Sequence, residues 1–560
     1  MTSPLPRSGP RIPSAAGMSE RWGLLLLTLV ASLSLWGQLQ LFLRLRPGIP
    51  TAFLAVSTAF LLAKRISPRP LRDILSVCAI VALSAFAMGR IFDLSWDGQT
   101  YHQEAIFQLA HGWNPIWDSP LPVWHGDITW CNSYPKGIWL AQAVFFRVFG
   151  NLESAKAVAM SLFLSSLLLG FAAARSLDLK PGTSLLIAAA AALNPVVFCQ
   201  LPSFYVDGAL GSLLLILLAL AVLFFQAPQR RHLVTMLLAL SILCVTKFTG
   251  VVYAVFFSVG VGFSALLWKR KLVKPLLVTT VLGGVLGFLF LGFQPYVTNL
   301  RSHLHPFHPL AGSQRIDFMP AQLGPEFAAQ PRVLALAESL FSTSTNDKAW
   351  PRWKIPFAVS RTELSEFGIP DIRIGGFGPW FGPVLGLSLL GVLFLFVYHS
   401  RQKSLPRSRR ELGTSHGKFL WPGLLVLAVI LASSLVNPGV FWARYVPQLW
   451  LIPVVVVVLL RLQGNRFAWP LLLLLSMNAA LVIGGSTNGQ LARQHAIRNQ
   501  LDEIRRQPIT VNLQTFGAVR FRLQREHVDF RLGTLVCPAP KTMVSSLVEY
   551  CLRTPEGTQP

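Results

Sequence analysis

A succession of apolar runs, each about as long as a bilayer crossing requires and separated by short basic loops, constrains this chain more than any other feature. They lie near 22–43, 49–63, 73–91, 153–174, 182–199, 208–226, 232–246, 250–267, 274–292, 379–398, 419–436, 441–461 and 467–485. Only 13% of the 560 residues are charged, where a soluble domain carries about 25%. In lipid every backbone polar group must be paired internally, so such runs have to be helices. The expected fold is an all-α polytopic membrane protein with about thirteen transmembrane helices over 22–485, followed by a small α/β appendage at 486–560. The piece 137–149 is too short to span and is expected to be interfacial or half-inserted.

The net charge of +25 does not imply a nucleic-acid partner, because the basic residues sit in short loops between apolar runs. With the N-terminus inside, Lys64, Arg65, Arg69, Arg72, Arg175, Lys180, Arg230, Arg231, Lys269, Arg270, Lys271, Lys274, Arg461 and Arg466 all fall inside, with the basic loop 399–418. Arg44 and Arg46 dissent and fall outside. The Pro/Ser-rich stretch 1–21 reads as a disordered cytoplasmic tail. The same register puts 92–152, 200–207, 293–378 and the tail outside. No N-x-Ser/Thr acceptor occurs in these loops, which fits a bacterial plasma membrane. Cys537 and Cys551 both lie in the tail, and their pairing is left open.

Segment 92–136 stands apart. It carries Asp93, Asp97, Glu104, Asp118 and Asp127 among five tryptophans, with no arginine. Spanning a bilayer requires no such loop, and carboxylates at a membrane surface point to chemistry on a lipid-borne substrate. In WDGQTYHQE, Gly98 permits a turn, and 99–111 has helical spacing with Gly112 and Pro115 as stop signals. Tyr101, Ile106, Phe107 and Leu109 suit a helix lying on the membrane surface. Asp97 at its start is a candidate general base toward an acceptor hydroxyl. The alternative is a plain helix cap. Asp207, in SFYVDGAL, opens another helix on the same side with Tyr205 beside it. His102 and Glu104 are further candidates, with an exposed helix face as the alternative.

Outer cations are few. Lys247 sits at a turn in VTKFTG, and Arg444 with Tyr445 lies inside the outer end of the run 441–461. A charge so placed is costly and functional or paired. Both cations suit a carrier phosphate, with snorkelling to lipid headgroups as the alternative. Arg301 opens the long loop in a phosphate-facing position. His303, His305 and His308 follow it, but Pro306 and Pro309 make the stretch irregular and unsuited to a metal face. No metal ligands are assigned, and a requirement for Mg²⁺ or Mn²⁺ is left open.

Four stretches together resemble GT-C type glycosyltransferases, the polytopic group that includes protein O-mannosyltransferases and aminoarabinose transferases. They are WDGQTYHQE, YPKGIWLAQAVFFRVFG, YVDG and RYVPQLWLIP, covering about 90–250 and 440–455. The resemblance implies sugar transfer outside the cytoplasm, with inversion, from a polyprenyl-phosphate donor to a glycan, lipid or protein acceptor. It makes Asp97 the base and Asp207 a positioning carboxylate. Tyr101, His102, Glu104, Tyr205, Lys247, Arg301, Arg444 and Tyr445 then bind substrate. A polysaccharide polymerase or ligase of the O-antigen type, built around the 293–378 loop, is the main alternative. A lipid or solute transporter is the lesser one, since no internal repeat is present.

Overall fold

The computed structural model describes residues 14–553 except 123–126, 318–321, 323, 349 and 405–418. Most of the basic loop 399–418, and residues 1–13 of the N-terminal tail, lie outside the described residues. Helix α1 (Ser14–Phe42) begins inside the stretch expected to be disordered. It is followed by α2 (Ile49–Ile66), α3 (Pro70–Met88), α4 (Gln103–His111), α5 (Gly137–Phe149) and α6 (Ala157–Ser176). Next come α7 (Pro181–Ala192), α8 (Pro195–Gln200), α9 (Asp207–Gln226), α10 (Arg230–Cys244), α11 (Phe248–Trp268) and α12 (Val273–Val285). After the long loop come α13 (Phe381–Ser404), α14 (Leu420–Leu435), α15 (Leu451–Leu462), α16 (Ala468–Ile504) and α17 (Val519–Arg525).

The molecule is a helical membrane protein. Among the described residues, eight helices are long and apolar enough to cross a bilayer, fewer than the thirteen expected. Most of the remaining expected spans are shorter helices. The run 182–199 breaks at Asn194, whose side chain caps α8 by accepting from Val196 N (3.0 Å), with Pro195 at its first turn. The run 441–461 starts as two 3₁₀ turns, Ala443–Tyr445 and Pro447–Trp450, before α15. Helix α1 and helix α9 are central, with 83% and 78% of their apolar windows buried. Helices α2 and α11 are peripheral and expose Phe53 and Val259 over more than half their surface. Apolar surface on that scale is unsuited to water and suits lipid.

Helix α5 is buried along 137–145 against α1 and α4, so it is a core element rather than an interfacial one. Helix α16, 37 residues long, carries the last span straight on into the polar tail. The tail then forms a four-stranded mixed sheet from β1 (Ile509–Asn512), β2 (Phe530–Leu532), β3 (Lys541–Thr542) and β4 (Glu549–Leu552), in the order β2-β1-β4-β3. Helix α17 lies between β1 and β2. Cys537 and Cys551 form a disulfide.

The appendage is built onto the first loop. Phe92 and Leu94 belong to the apolar core it forms with the end of α16. Gln494 bonds both Phe92 N (2.9 Å) and Phe92 O (2.7 Å). The segment 98–111 therefore lies beneath protein: Ala518 N donates to Gln99 O (3.1 Å), and Phe107 stacks on Phe521 at 4.4 Å.

Candidate active site

Asp97 is placed by a buried polar turn. The fully buried carboxylate of Asp93 accepts from Ser95 N and Ser95 Oγ, both at 2.9 Å, and from Gln103 Nε2 at 3.2 Å. A side chain at 98 would put its Cβ 1.8 Å from Asp93 Oδ2, so only glycine fits there. Burial pushes the Asp93 carboxyl up to about 6, with Glu153 adding to the rise. The chain then enters a π turn, Gly98–His102, that leads into α4. The Asp97 side chain makes no capping bond at that start. Its Oδ2 faces Arg444 Nη1 at 3.2 Å, with a fifth of the side chain exposed.

Arg444 lies in a 3₁₀ turn, not inside a helix as expected. Pro447 breaks the pattern here, and side chains from other segments hold the turn. Asn437 Nδ2 donates to Tyr445 O (3.2 Å), and Asn194 Nδ2 donates to Pro447 O (2.9 Å). Arg444 Nη1 also meets Asp371 Oδ2 at 3.0 Å, so one guanidinium nitrogen holds two carboxylates from different loops. The guanidinium sits over the rings of Trp442 (4.7 Å), Tyr205 (4.9 Å) and Tyr445 (5.2 Å), a geometry that favours a cation. Its Nε is buried and has no hydrogen-bond partner.

Asp371 escaped the sequence reading. Trp442 Nε1 donates to its Oδ1 (2.7 Å) and the Tyr205 hydroxyl to its Oδ2 (3.3 Å). Burial pushes its carboxyl up to about 6; Arg444 opposes the rise, while Asp97 and Asp207 reinforce it. It is one of seven acids in 293–378, and nothing in its spacing sets it apart.

Behind this group lies a second ion pair. Asp207, at the start of α9, binds Lys247 Nζ through Oδ1, and both side chains are almost wholly buried. Gln200 Nε2 approaches Asp207 Oδ2 at 3.4 Å, and Gln200 Oε1 accepts from Gly208 N at 2.8 Å. The carboxylate is therefore engaged by side chains, not by capping. The Lys247 ammonium stands 4.1 Å from the centre of the Tyr445 ring, which thus touches both cations.

His102 closes the floor. Trp139 Nε1 donates to its Nδ1 (2.7 Å), so the ring proton resides on Nε2. Burial pushes the imidazole down to about 3, and it stays neutral at physiological pH. Tyr101, Tyr134 and Tyr205 pack around it, all with phenols held well above their usual range by burial. They are neutral donors.

Eight of the ten candidates therefore gather in one place: Asp97, Tyr101, His102, Tyr205, Asp207, Lys247, Arg444 and Tyr445. Two stand apart. Glu104, expected on an exposed face or on substrate, is fully buried and pairs with Arg520 Nη2 of the appendage at 2.6 Å. Arg301 is exposed and lies over the Phe293 ring at 5.7 Å. Nearby, His303 and His308 stack at 3.7 Å. Among the described residues, no three His, Cys, Asp or Glu side chains are grouped to hold a metal ion.

No protein-family model matches the chain, and no curated protein matches it either. The chemistry has to be argued from the cluster: a partly open carboxylate beside a buried guanidinium, a sealed Asp–Lys pair behind it, and neutral phenols and an imidazole between them.

Proposed function

We propose that the protein is a GT-C type membrane glycosyltransferase that moves a sugar from a polyprenyl-phosphate donor to a glycan, lipid or protein acceptor. The supporting observation is the convergence of Asp97 and Asp371 on Arg444, next to the sealed Asp207–Lys247 pair. These residues come from five separate segments, and their meeting beside candidate spans suits a substrate held at the membrane.

In this reading Asp97 accepts the proton of the acceptor hydroxyl as its oxygen bonds to the anomeric carbon. The bond from that carbon to the carrier phosphate breaks, and the electron pair leaves with the phosphate. Displacement from the opposite face inverts the sugar. Arg444 stabilises the departing phosphate. Asp207, locked onto Lys247, positions rather than reacts. In this reading the site faces outward, with the N-terminus inside, which the largely one-sided cations of the inner loops support.

One observation favours the polymerase or ligase variant of the same chemistry: Asp371 is supplied by the long 293–378 loop. The deciding experiment is Asp97→Asn in membranes supplied with labelled polyprenyl-phosphate sugars. Asn keeps the shape and removes the proton acceptor. Transfer should fall about 10²–10⁴-fold while donor binding persists. Transfer at the wild-type rate would remove Asp97 from the mechanism.

A further inference from the structure

Arg44 and Arg46, the pair that breaks the charge asymmetry of the loops, lie in the turn between the first two candidate spans, Gly17–Phe42 and Ile49–Ile66. Whichever way the protein is oriented, that turn sits at a membrane boundary. Leu43, Leu45 and Ile49 beside it each expose more than half their surface, so the turn borders lipid. Both arginines are exposed, and among the described residues neither has an ion-pair partner.

The two side chains line a cavity of about 260 Å³ with Gly112, Trp113, Trp117 and Asp118. The cavity is built, not incidental. Gly112 ends α4 with φ at +108°, a conformation side chains rarely adopt, and a Cβ there would fall 2.5 Å from Arg46 Nε. The guanidinium of Arg44 lies 5.2 Å from the centre of the Trp117 ring. The carbonyls ending α1, which arginines often serve, are already occupied. Asn114 Nδ2 donates to Leu41 O (2.8 Å), and Trp117 Nε1 donates to Leu41 O (3.1 Å) and Phe42 O (3.2 Å). Asp118 Oδ2 is held by Asn114 N at 2.7 Å. With two guanidinium groups against one carboxylate, the lining carries one net positive charge.

We propose that this cavity binds the phosphodiester group of an anionic membrane phospholipid. The single negative charge of a phosphodiester whose headgroup carries no cation matches the net positive lining, and planar guanidinium donors suit its oxygens. The exposed leucines beside the turn suit its acyl chains. This proposal is independent of the sugar-transfer reading.

The test uses the purified full-length chain in non-ionic detergent, with bound lipid counted by native mass spectrometry. Phosphatidylglycerol should be retained at one copy per chain, and phosphatidylcholine should not. Arg44→Gln with Arg46→Gln should weaken retention at least tenfold or so, since each lost charge-assisted contact is worth roughly that factor. Both side chains are exposed, so the variant should fold, and an unchanged unfolding temperature checks this. Arg44→Lys with Arg46→Lys should also lose affinity, because the charge remains but the forked geometry goes. Millimolar inorganic phosphate should not displace the lipid. Equal retention by either double variant would overturn the proposal, the lysine result by reducing it to non-specific attraction. Equal binding of phosphatidylcholine, or displacement by inorganic phosphate, would overturn it as well.

Discussion

Glu104→Gln should loosen the appendage from the helix that follows Asp97. In the folded chain Glu104 is fully buried, and the Arg520 side chain is only 7% exposed. Glutamine keeps the shape and can retain the bond from Gln108 Nε2, at 2.7 Å in the native protein. It removes the negative charge that faces the buried guanidinium. Removing one partner of a buried pair costs about 3–5 kcal/mol. Arg520 Nη1 also donates to Gly517 O at 2.8 Å, and the guanidinium rests on the Phe521 ring, so part of the charge stays satisfied. The lower end, about 3 kcal/mol, is expected. Glu104→Met combined with Arg520→Met removes both charges at similar volume, and should lie within about 1 kcal/mol of wild type. Thermal unfolding in detergent, with the single and double variants beside wild type, measures both. Transfer should fall with the single variant and recover with the double, because α4 continues the turn that bears Asp97. A Glu104→Gln protein of wild-type stability that no longer binds donor would refute this reasoning and return Glu104 to the substrate.

Two other outcomes are expected. Donor affinity should fall as pH rises through about 6: the Asp371 carboxyl, raised to that value, is neutral below it and above it competes with the donor phosphate for Arg444; Asp371→Asn should flatten that profile in a binding titration. Cysteines placed at the exposed Ser119 and Gly533 should react with an impermeant thiol reagent added outside, and one at Ser408 should be protected; a reactive 408 would reverse the orientation.

The residues legible in the sequence share one property: their charge is already conspicuous where it stands. Asp97, Asp207, Lys247 and Arg444 adjoin long apolar runs, where an ionised side chain is costly unless it is used or paired. Asp371 lies in a polar loop, where a carboxylate costs nothing until tertiary packing buries it. The same limit misplaced Glu104, whose partner comes from the far end of the chain. The break at Asn194-Pro195 carried an ordinary cap signal that the surrounding apolar run obscured. The last span, expected to end at 485, instead runs on through GGSTNG, 484–489. Helix α16 continues through these glycines because they allow close packing. A Cβ at Gly485 would fall 2.3 Å from Leu364 O, and one at Gly489 would fall 2.5 Å from Gly368 Cα.

The two ion pairs divide the work of the cluster by how open they are. Asp207 and Lys247 are sealed, their side chains 2% and 9% exposed, so neither can meet a substrate without first losing the other. Breaking such a pair costs several kcal/mol, which suits a fixed support and not a group that must exchange protons. Asp97 shares its guanidinium with a competitor and keeps a fifth of its side chain open. If a ligand phosphate engaged Arg444, the hold on Asp97 would weaken. In the proposed mechanism, donor binding would thereby free the Asp97 carboxylate as an acceptor hydroxyl arrives. The carboxylate that can act is the one whose counter-ion the donor can take away.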